Sequence, residues 1–311
     1  MATSHHEMDF MMLQQALPTP KKTVVLAEHH GFCHGVKKAV DKTLAANDPA
    51  KTPDGKPVYV LGQLIHNQQM IGKLEAEGIT TVQSLDEVPA GSRVVIRTHG
   101  AAPELLEAAT AKGIEVTDAT CPDVLLVQNK AIELAKEGYT VVIAGKDDHP
   151  EVVGIKAHAA RIPNAHVVAI NRVADIEGKL ADIPKRRIGL VSQTTQLEDS
   201  FFDMVKAISM VAKELKVFNT ICPATFYRQH AAEVLAQQVD FVVVVGGKNS
   251  SNTTHLAEVC AEQGTPAVHV ETFDELKGNP QLLAATTVGV TAGASTPQWV
   301  VDEVVAFIEG L

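Results

Sequence analysis

Short apolar segments alternate along this chain with longer amphipathic ones. Segments such as 140–144 and 241–246 have the length of β-strands, and each ends in a glycine-rich or polar turn. One of the amphipathic segments has Pro103 in its first turn and Gly113 just past its end, and these residue types are preferred at the two ends of a helix. Strands that alternate with helices of about ten to fifteen residues predict an α/β protein with mainly parallel sheets.

This pattern predicts secondary structure along most of the chain. The predicted strands are 23–27, 57–61, 93–97 and 140–144. The predicted helices are 34–46, 68–77, 103–112 and 123–137. The same alternation continues through 188–192, 201–215, 231–237, 241–246, 254–263 and 287–290.

Three cysteines recur at one place in this pattern, in a turn directly before a helix. Cys33, Cys121 and Cys222 are separated by 88 and 101 residues, and either interval is about the length of one small α/β domain. We therefore expect a disordered tail at 1–20 and three similar modules at 21–119, 120–217 and 218–311. The C-terminal segment of the third module is expected to close the functional site. The alternative is that three buried core cysteines fall at these places by chance.

The position of the three cysteines favours metal chemistry. The positive end of a helix dipole is expected to lower the pKa of a cysteine there and to favour its thiolate. Three converging thiolates would bind an iron–sulfur cluster, zinc or copper(I), and three ligands instead of four would leave one coordination position open, as catalytic metals do. The chain has no Cys-x-x-Cys pair, which argues against a zinc ribbon. Cys260 has apolar helical spacing, so we assign it to the core.

Composition excludes several classes of protein. The 311 residues have a formal net charge of −10, which argues against a nucleic-acid partner, since phosphate backbones require a basic face. The apolar runs are far shorter than the ~20 residues of a membrane span, and no Lys or Arg precedes Lys21 as in a secretory signal. We expect a cytoplasmic protein without membrane association, in which the cysteines form no structural disulfides.

Polar and small residues follow many of the predicted strands. Because ligands bind at the carboxyl ends of parallel strands, these turns predict a binding site. They lie at 62–67, 98–100, 145–151, 192–195, 246–252 and 291–295. The turn at 246–248 is not a phosphate loop of the Walker type, because Val242 and Asn249 stand where Gly and Ser or Thr are required. Together with the cysteines, the turns predict an anion site beside a metal centre, with His149 and Glu151 available for proton transfer.

Each turn also has a simpler interpretation. Serine and threonine before a helix are usually N-caps, and a single histidine after a strand is usually solvated or buried with a satisfied hydrogen bond. His149-Pro150-Glu151 could be one more capped turn. The functional interpretation therefore depends on whether the fold brings the turns and the three cysteines together.

The residues in these turns resemble those of a known family, the 4-hydroxy-3-methylbut-2-enyl diphosphate reductases (LytB/IspH). The resemblance runs from about Thr23 to the C-terminus, and its specificity comes from the number of motifs in order along one chain. These are Gly31-Phe32-Cys33-x-Gly35-Val36, Ile65-His66-Asn67, Thr98-His99-Gly100, Asp118-Ala119-Thr120-Cys121-Pro122, His149-Pro150-Glu151-Val152, Gln193-Thr194-Thr195, Lys248-Asn249-Ser250-Ser251-Asn252 and Thr291-Ala292-Gly293-Ala294-Ser295.

The resemblance implies a fold, a cofactor and a reaction. The fold would be three α/β modules in a pseudo-threefold trefoil around a 4Fe–4S cluster, held by Cys33, Cys121 and Cys222. The fourth iron would keep an open position for the substrate hydroxyl. The reaction would remove that allylic hydroxyl with two electrons and two protons, and would give isopentenyl diphosphate, dimethylallyl diphosphate and water. A ferredoxin or flavodoxin would supply the electrons.

The resemblance also implies roles for individual residues. Glu151 would deliver protons, with His149 as a second candidate, and Thr194 would orient both Glu151 and the substrate hydroxyl. The expected diphosphate-binding residues are His66, His99, His149, Ser250, Asn252 and Ser295, with Ser251 beside them.

The chain departs from the family pattern at several positions, and two other functions remain open. The departures are His30, Lys146, Pro223 and Tyr227, and they leave the donor-docking surface, the product ratio and the fine substrate preference open. A zinc hydrolase or deaminase is one alternative, because His149-Pro150-Glu151 has the His-x-Glu form, although the Pro-Cys-x-x-Cys partner motif is missing. A non-catalytic α/β ligand-binding protein is the other.

Overall fold

The structure is a computed structural model that describes residues 21–311, so the predicted tail at 1–20 lies outside the described residues. Within that range the chain alternates strands and helices, as the apolar pattern predicts. The strands are β1 (Thr23–Leu26), β2 (Val58–Leu61), β3 (Thr80–Val82), β4 (Arg93–Ile96), β5 (Glu115–Asp118), β6 (Thr140–Ala144), β7 (Val167–Ile170), β8 (Arg187–Ser192), β9 (Glu214–Val217), β10 (Phe241–Val245), β11 (Ala267–Val270) and β12 (Thr287–Ala292).

Helices connect the strands and cover the sheets. They are α1 (His34–Ala46), α2 (Gln68–Ala76), α3 (Pro103–Ala111), α4 (Pro122–Lys136), α5 (Pro150–Ala160), α6 (Ile176–Lys179), α7 (Glu198–Ser209), α8 (Pro223–Ala236), α9 (Ser251–Glu262), α10 (Pro280–Ala284) and α11 (Gln298–Glu309). Among the described residues, no helix is long and apolar enough to cross a membrane.

The strands form three four-stranded parallel sheets with one common topology. Their strand orders are β3-β2-β4-β5, β7-β6-β8-β9 and β11-β10-β12-β1. In each sheet the first strand of the repeat lies between the second and the third, and a fourth strand flanks the third. The α/β class, the parallel sheets and the threefold repeat predicted from the sequence are therefore confirmed.

One strand lies in a different sheet from the one expected. The predicted module 21–119 included the strand at 23–27, but β1 pairs with β12, with Thr23 opposite Thr287 and Leu26 opposite Val290. The N-terminal strand thus supplies the fourth strand of the last sheet. Strand pairing uses backbone groups that every residue carries, so the composition of a four-residue strand does not specify its partner. The module boundaries themselves stay a prediction.

The sequence pattern also missed several short elements. The predicted segment 201–215 crosses the end of α7 at Ser209 and enters β9. The strands β3, β7 and β11 have three or four residues and lie at sheet edges. β3 and β11 are only partly buried and lack the continuous apolar run of a central strand such as β10, which is fully buried, whereas β7 is apolar but only four residues long.

The helices that follow the three cysteines pack on the next sheet along the chain. In α1, Val36 and Val40 share a core with Val58 and Val60 of β2. In the same way, α4 packs on β6, and α8 packs on β10. Each of the three cysteines therefore lies between the fourth strand of one sheet and a helix that covers another. Cys260 is fully buried in the core between α8, α9 and β10, as expected.

Candidate active site

One cavity is lined by residues from all three repeats. Its lining includes every residue that the sequence singled out, which the chain supplies from twelve positions between residues 33 and 295: Cys33, His66, His99, Cys121, His149, Glu151, Thr194, Cys222, Ser250, Ser251, Asn252 and Ser295. The strand-end turns and the cysteine turns thus meet at one place. We call Cys33, Cys121 and Cys222 the cysteine wall, and the histidines, serines and Asn252 the polar wall.

The cysteine wall consists of three N-cap residues. Cys33, Cys121 and Cys222 have extended backbones and directly precede α1, α4 and α8. Cys121 and Cys222 lie close together, because Asp123 Oδ2 is 3.1 Å from Cys222 Sγ and 3.9 Å from Cys121 Sγ. All three are free cysteines.

Gly35 keeps space open beside this wall. A Cβ atom at Gly35 would lie 2.5 Å from Cys121 Sγ and 3.9 Å from Cys33 Sγ. Any side chain there would collide with the sulfur atom. The glycine therefore permits the close approach of two cysteines from different repeats.

The expected lowering of the cysteine pKa values is wrong for two of the three residues. Burial raises the pKa of Cys121 to about 11, although backbone N–H groups of the helix N-terminus act against it. Burial and the Asp123 carboxylate raise the pKa of Cys222 to about 12. Desolvation outweighs the helix terminus because both thiols lie inside the protein. A metal that binds here must therefore displace thiol protons.

Two charged residues beside the cysteines were not among the predicted site residues. Asp123 lines the cavity, and its position two residues after Cys121 on the same helix could have indicated this. Arg228 is buried, and its Nε and Nη2 donate to the carbonyl of Gly31 at 3.2 and 2.7 Å. Burial lowers the pKa of Arg228, and the neighbouring Cys33 and Cys222 act in the opposite direction. A buried guanidinium is thus available to offset negative charge at the cysteine wall.

Three histidines face one another on the polar wall. Their ring centroids are 4.6 Å apart for His66 and His99, 5.4 Å for His99 and His149, and 5.9 Å for His66 and His149. Burial lowers the pKa of His66 to about 4 and that of His149 to about 3, and it also holds the pKa of His99 well below its usual value. Without a ligand, all three imidazoles are therefore neutral at pH 7.

Several polar atoms of this wall are buried without a hydrogen-bond partner. They are His66 Nε2, His99 Nδ1, and both the Nδ2 and Oδ1 atoms of Asn252. A buried polar group without a partner costs about 1–3 kcal/mol, so a cluster of them indicates a missing polar ligand.

The tautomer of His149 shows what kind of ligand suits it. His149 is the N-cap of α5, and its Nδ1 accepts a hydrogen bond from the backbone N–H of Glu151 at 3.2 Å. In the neutral ring the proton is therefore on Nε2, which makes that atom a donor. A donor suits an anion and does not suit a metal ion, which needs the lone pair.

The N-terminus of α9 supplies further donors. Ser250 is the N-cap, and its Oγ accepts from the backbone N–H of Thr253 at 3.3 Å, while Ser251 and Asn252 occupy the first turn. Ser295 Oγ donates to the carbonyl of His66 at 3.1 Å and joins the first and third repeats. Ser250 therefore caps α9, as the simpler interpretation of the turn predicts, and it also lines the cavity. Unpaired N–H groups and the helix dipole favour an anion at this position.

A buried carboxyl group lies in the same cavity. Thr194 donates twice to Glu151, from its backbone N–H to Oε1 and from its Oγ1 to Oε2, both at 2.7 Å. Burial raises the pKa of Glu151 to about 7, even though both hydrogen bonds from Thr194 act to lower it. Glu151 is therefore close to half-protonated at neutral pH and can act as a general acid.

Known proteins match this chain over nearly its whole length. The sequence profile of the LytB protein family matches residues 24–309. The chain belongs to the LytB family. Curated relatives named 4-hydroxy-3-methylbut-2-enyl diphosphate reductase include one from Geobacter sp. (strain M21), which is 42% identical over 93% of this chain and 97% of its own length. Another, from Aquifex aeolicus, is 41% identical over 92% of this chain and 96% of its own length.

Solved structures of the LytB family have the same fold. A structure titled as (E)-4-hydroxy-3-methyl-but-2-enyl diphosphate reductase, the terminal enzyme of the non-mevalonate pathway, is 39% identical, with a TM-score of 0.67 over 93% of this chain and 100% of that chain. A reductase structure from Plasmodium falciparum is 28% identical, with a TM-score of 0.83 over 92% of this chain and 88% of that chain. The resemblance in the motifs therefore reflects membership of the family.

Proposed function

We propose that this protein is a 4-hydroxy-3-methylbut-2-enyl diphosphate reductase. The reaction adds two electrons and two protons, breaks the allylic C–O bond, and gives isopentenyl diphosphate or dimethylallyl diphosphate with one water. The observation that carries the proposal is a single cavity with three cysteines, an anion-binding polar wall and a buried carboxylic acid. The names of the curated relatives supply the substrate and support the same reaction.

We assign a 4Fe–4S cluster to the cysteine wall, with Cys33, Cys121 and Cys222 as ligands. The fit is supported by the three neighbouring N-cap cysteines, by the space at Gly35 and by the buried guanidinium of Arg228. Thiolate ligands without a fourth cysteine suit such a cluster with one iron free of a protein ligand. When bound, the cluster would supply electrons and a Lewis-acidic iron for the substrate hydroxyl.

We assign the diphosphate to the polar wall. His66 Nε2, His99 Nδ1 and the Asn252 amide have no partners, and an anionic group would satisfy them. His149 Nε2, the hydroxyls of Ser250 and Ser251, and the N–H groups of α9 add further donors, and the Ser295 hydroxyl adds one when it turns away from the His66 carbonyl. Neutral imidazoles become charged donors when they take up protons, so binding of the diphosphate should be accompanied by proton uptake.

We assign proton delivery to Glu151. The acid is buried, it is held by Thr194 on both oxygens, and its pKa of about 7 matches a proton donor at neutral pH. Thr194 both fixes the rotamer of Glu151 and lines the cavity where it can orient the substrate hydroxyl. His149 is the second candidate, because its backbone leads directly into the turn that carries Glu151.

We infer that the electrons come from a ferredoxin or flavodoxin in the cytoplasm. The sequence has no Rossmann fingerprint of the kind that binds a nicotinamide or flavin dinucleotide as an internal source of electrons. A one-electron carrier protein also matches the two single-electron steps that a cluster permits.

The three histidines also favour a second candidate, a zinc enzyme. Nitrogen atoms of His66, His99 and His149 lie within 4.8 Å of one another, which is close enough for one metal ion. The bond from Glu151 N–H to His149 Nδ1 argues against it, because His149 would have to bind zinc through an Nε2 that carries the ring proton.

Turnover with an artificial reductant tests the proposal. Protein purified without oxygen is mixed with the allylic hydroxy-diphosphate and reduced methyl viologen, and the products are separated by chromatography. We expect viologen oxidation and both isoprenoid diphosphates. Absence of turnover in protein that contains iron and sulfide would contradict the proposed reaction.

A further inference from the structure

The three cysteine-bearing helices use their first turns in the same way. The second and third residues after each cysteine face the interior, and five of these six side chains line the cavity: Val36, Asp123, Val124, Ala224 and Thr225. The sixth position is Gly35, where a side chain would collide with Cys121. The inner faces of the helices are thus committed to the site.

The first, fourth and fifth residues after each cysteine are exposed instead. On α1 they are His34, Lys37 and Lys38; on α4, Pro122, Leu125 and Leu126; on α8, Pro223, Phe226 and Tyr227. We call these nine residues the outer patch. Residues three or four positions apart lie on the same face of a helix, so the first, fourth and fifth residues share one face. That face is exposed because the second and third residues face inward.

The outer patch lies very close to the three sulfur atoms. Five residues of helix rise about 7.5 Å, so each exposed side chain is within roughly two turns of its cysteine. Cys33, Cys121 and Cys222 line one cavity, and the starts of the three helices meet there, because Asp123 of α4 contacts Cys222 and Gly35 of α1 lies against Cys121. A protein docked there would bring its own redox centre close to the cysteines.

The chemistry of the patch is unusual for an exposed surface. Leu126 is 49% exposed and Tyr227 52% exposed, and Leu125 and Phe226 are also well exposed. Tyr227 contacts both Phe226 and His29, with ring centroids 5.5 and 5.3 Å apart. Exposed aromatic side chains such as Tyr227 are typical of binding hot spots, and the exposed leucines add apolar area beside them.

The charge of the patch is opposite to that of the whole chain. Lys37 and Lys38 are exposed, and only Lys37 has an acidic partner, Asp41, among the described residues. The chain as a whole has a formal net charge of −10. A local positive region on an acidic protein steers an acidic partner toward that region.

We propose that the outer patch is the docking surface for an acidic one-electron carrier protein. The inference rests on the proposed function, since it assumes a cluster at the three cysteines. Each docking event oxidises the carrier by one electron, and two events supply the pair that, with two protons, breaks one C–O bond and forms one water. The leucines, Phe226 and Tyr227 anchor the carrier, and the two lysines orient it.

The test compares two electron sources in the same variants. The variants are Leu126→Asp, Tyr227→Asp and Lys38→Glu, and the matched control is Met210→Asp with Lys213→Glu, an exposed apolar and basic pair at the end of α7. Turnover is measured with reduced methyl viologen and, separately, with purified ferredoxin or flavodoxin, whichever drives the wild type faster. Iron content is measured for each protein.

We expect the patch variants to need about tenfold or more carrier for half-maximal rate, with the viologen rate and iron content unchanged. Lys38→Glu should also reduce the dependence of the carrier rate on salt. Wild-type carrier kinetics in all three patch variants would overturn the proposal, as would equal losses in the control, or wild-type turnover with viologen but with neither carrier. Absence of viologen turnover in the wild type would instead identify a failure of the proposed function.

Discussion

The cysteine wall and the polar wall of the cavity are built differently on one repeated scaffold. Each repeat contributes one cysteine at the same place, between a fourth strand and the helix that follows it. The polar wall and the Glu151–Thr194 pair beside it have no such repetition: the first repeat supplies His66 and His99, the second His149, Glu151 and Thr194, and the third Ser250 to Asn252 and Ser295.

This difference separates two requirements of the chemistry. A cluster with three equivalent protein ligands is well served by three equivalent positions around an axis. A substrate with a diphosphate at one end and a hydroxyl at the other has no such symmetry, so equivalent turns had to acquire different side chains. The repeat therefore accounts for the proposed cofactor site, and the differences among the strand-end turns account for the proposed substrate site.

The largest effect is expected from substitutions in the cysteine wall. Changing Cys33, Cys121 or Cys222 to Ser should abolish cluster assembly in each case, because a hydroxyl is a poor substitute for a thiolate ligand. Iron content and visible absorbance of protein purified without oxygen measure this. Cys260→Ser is the matched control, since Cys260 is buried between α8 and α9 and should retain full iron content. A full cluster in any of the first three variants would break the assignment.

The next largest effect is expected at Glu151, where a substitution separates a loss of proton transfer from a loss of substrate binding. Glu151→Gln keeps the size and one acceptor of the side chain but removes its acid function, and general acid catalysis contributes roughly 10²–10⁴-fold. We expect turnover with reduced viologen to fall by about that factor, with the iron content unchanged. Asp147→Asn and Asp148→Asn, in the same loop, should stay within a few-fold of the wild type. Near-normal turnover of Glu151→Gln would transfer the proton donor role to His149 or the substrate diphosphate.

The acid–base behaviour of Glu151 gives a smaller and more specific prediction. Because the acid form donates the proton and its pKa is about 7, turnover should fall as the pH rises through that value. The hydrogen bonds from Thr194 lower the pKa of Glu151, so Thr194→Val should raise it and move the falling limb to higher pH. The pH profile of the viologen reaction measures both. A profile that Thr194→Val leaves unmoved would argue against Glu151 as the titrating group.

The smallest effect is expected at single diphosphate donors. His66→Ala and Ser250→Ala should each weaken a pyrophosphate inhibitor by about 1.5–3 kcal/mol, roughly tenfold to a hundredfold, since each loses one charge-assisted bond. Ser250 also caps α9, so Asn279→Ala, which removes the cap of α10, is the control for cap loss alone. Asn279→Ala should leave inhibitor binding unchanged. Unchanged binding in both His66→Ala and Ser250→Ala would contradict the placement of the anion.

The sequence predicted which residues line the cavity, but not the partner of β1 or the pKa values of the cysteines. Both sets of residues could be found because turns after strands and before helices have clear punctuation, and the fold brings all twelve residues to one cavity. The partner of β1 could not be found, because backbone pairing leaves no trace in four residues. The pKa values of Cys121 and Cys222 were predicted in the wrong direction, because burial depends on the packing of three repeats and is invisible in the turn itself.

Asp123 and Arg228 were missed for a related reason. Asp123 is 99 residues from Cys222 in the sequence, and Arg228 is 197 residues from Gly31. Only the packing of the repeats brings each pair into contact. Local helical spacing could have indicated that Asp123 faces inward with Val124, but not what it would contact there.

Metal and sulfide analysis of the wild-type protein tests whether Cys33, Cys121 and Cys222 bind an iron–sulfur cluster. Protein purified without oxygen is analysed for iron, acid-labile sulfide and zinc in the same sample. We expect about four iron and four sulfide per chain, with no stoichiometric zinc, and a brown protein that absorbs in the visible. A colourless protein with about one zinc per chain would contradict it and would favour a three-histidine metal site, and a metal-free protein that still binds the substrate would reduce the cavity to a binding site.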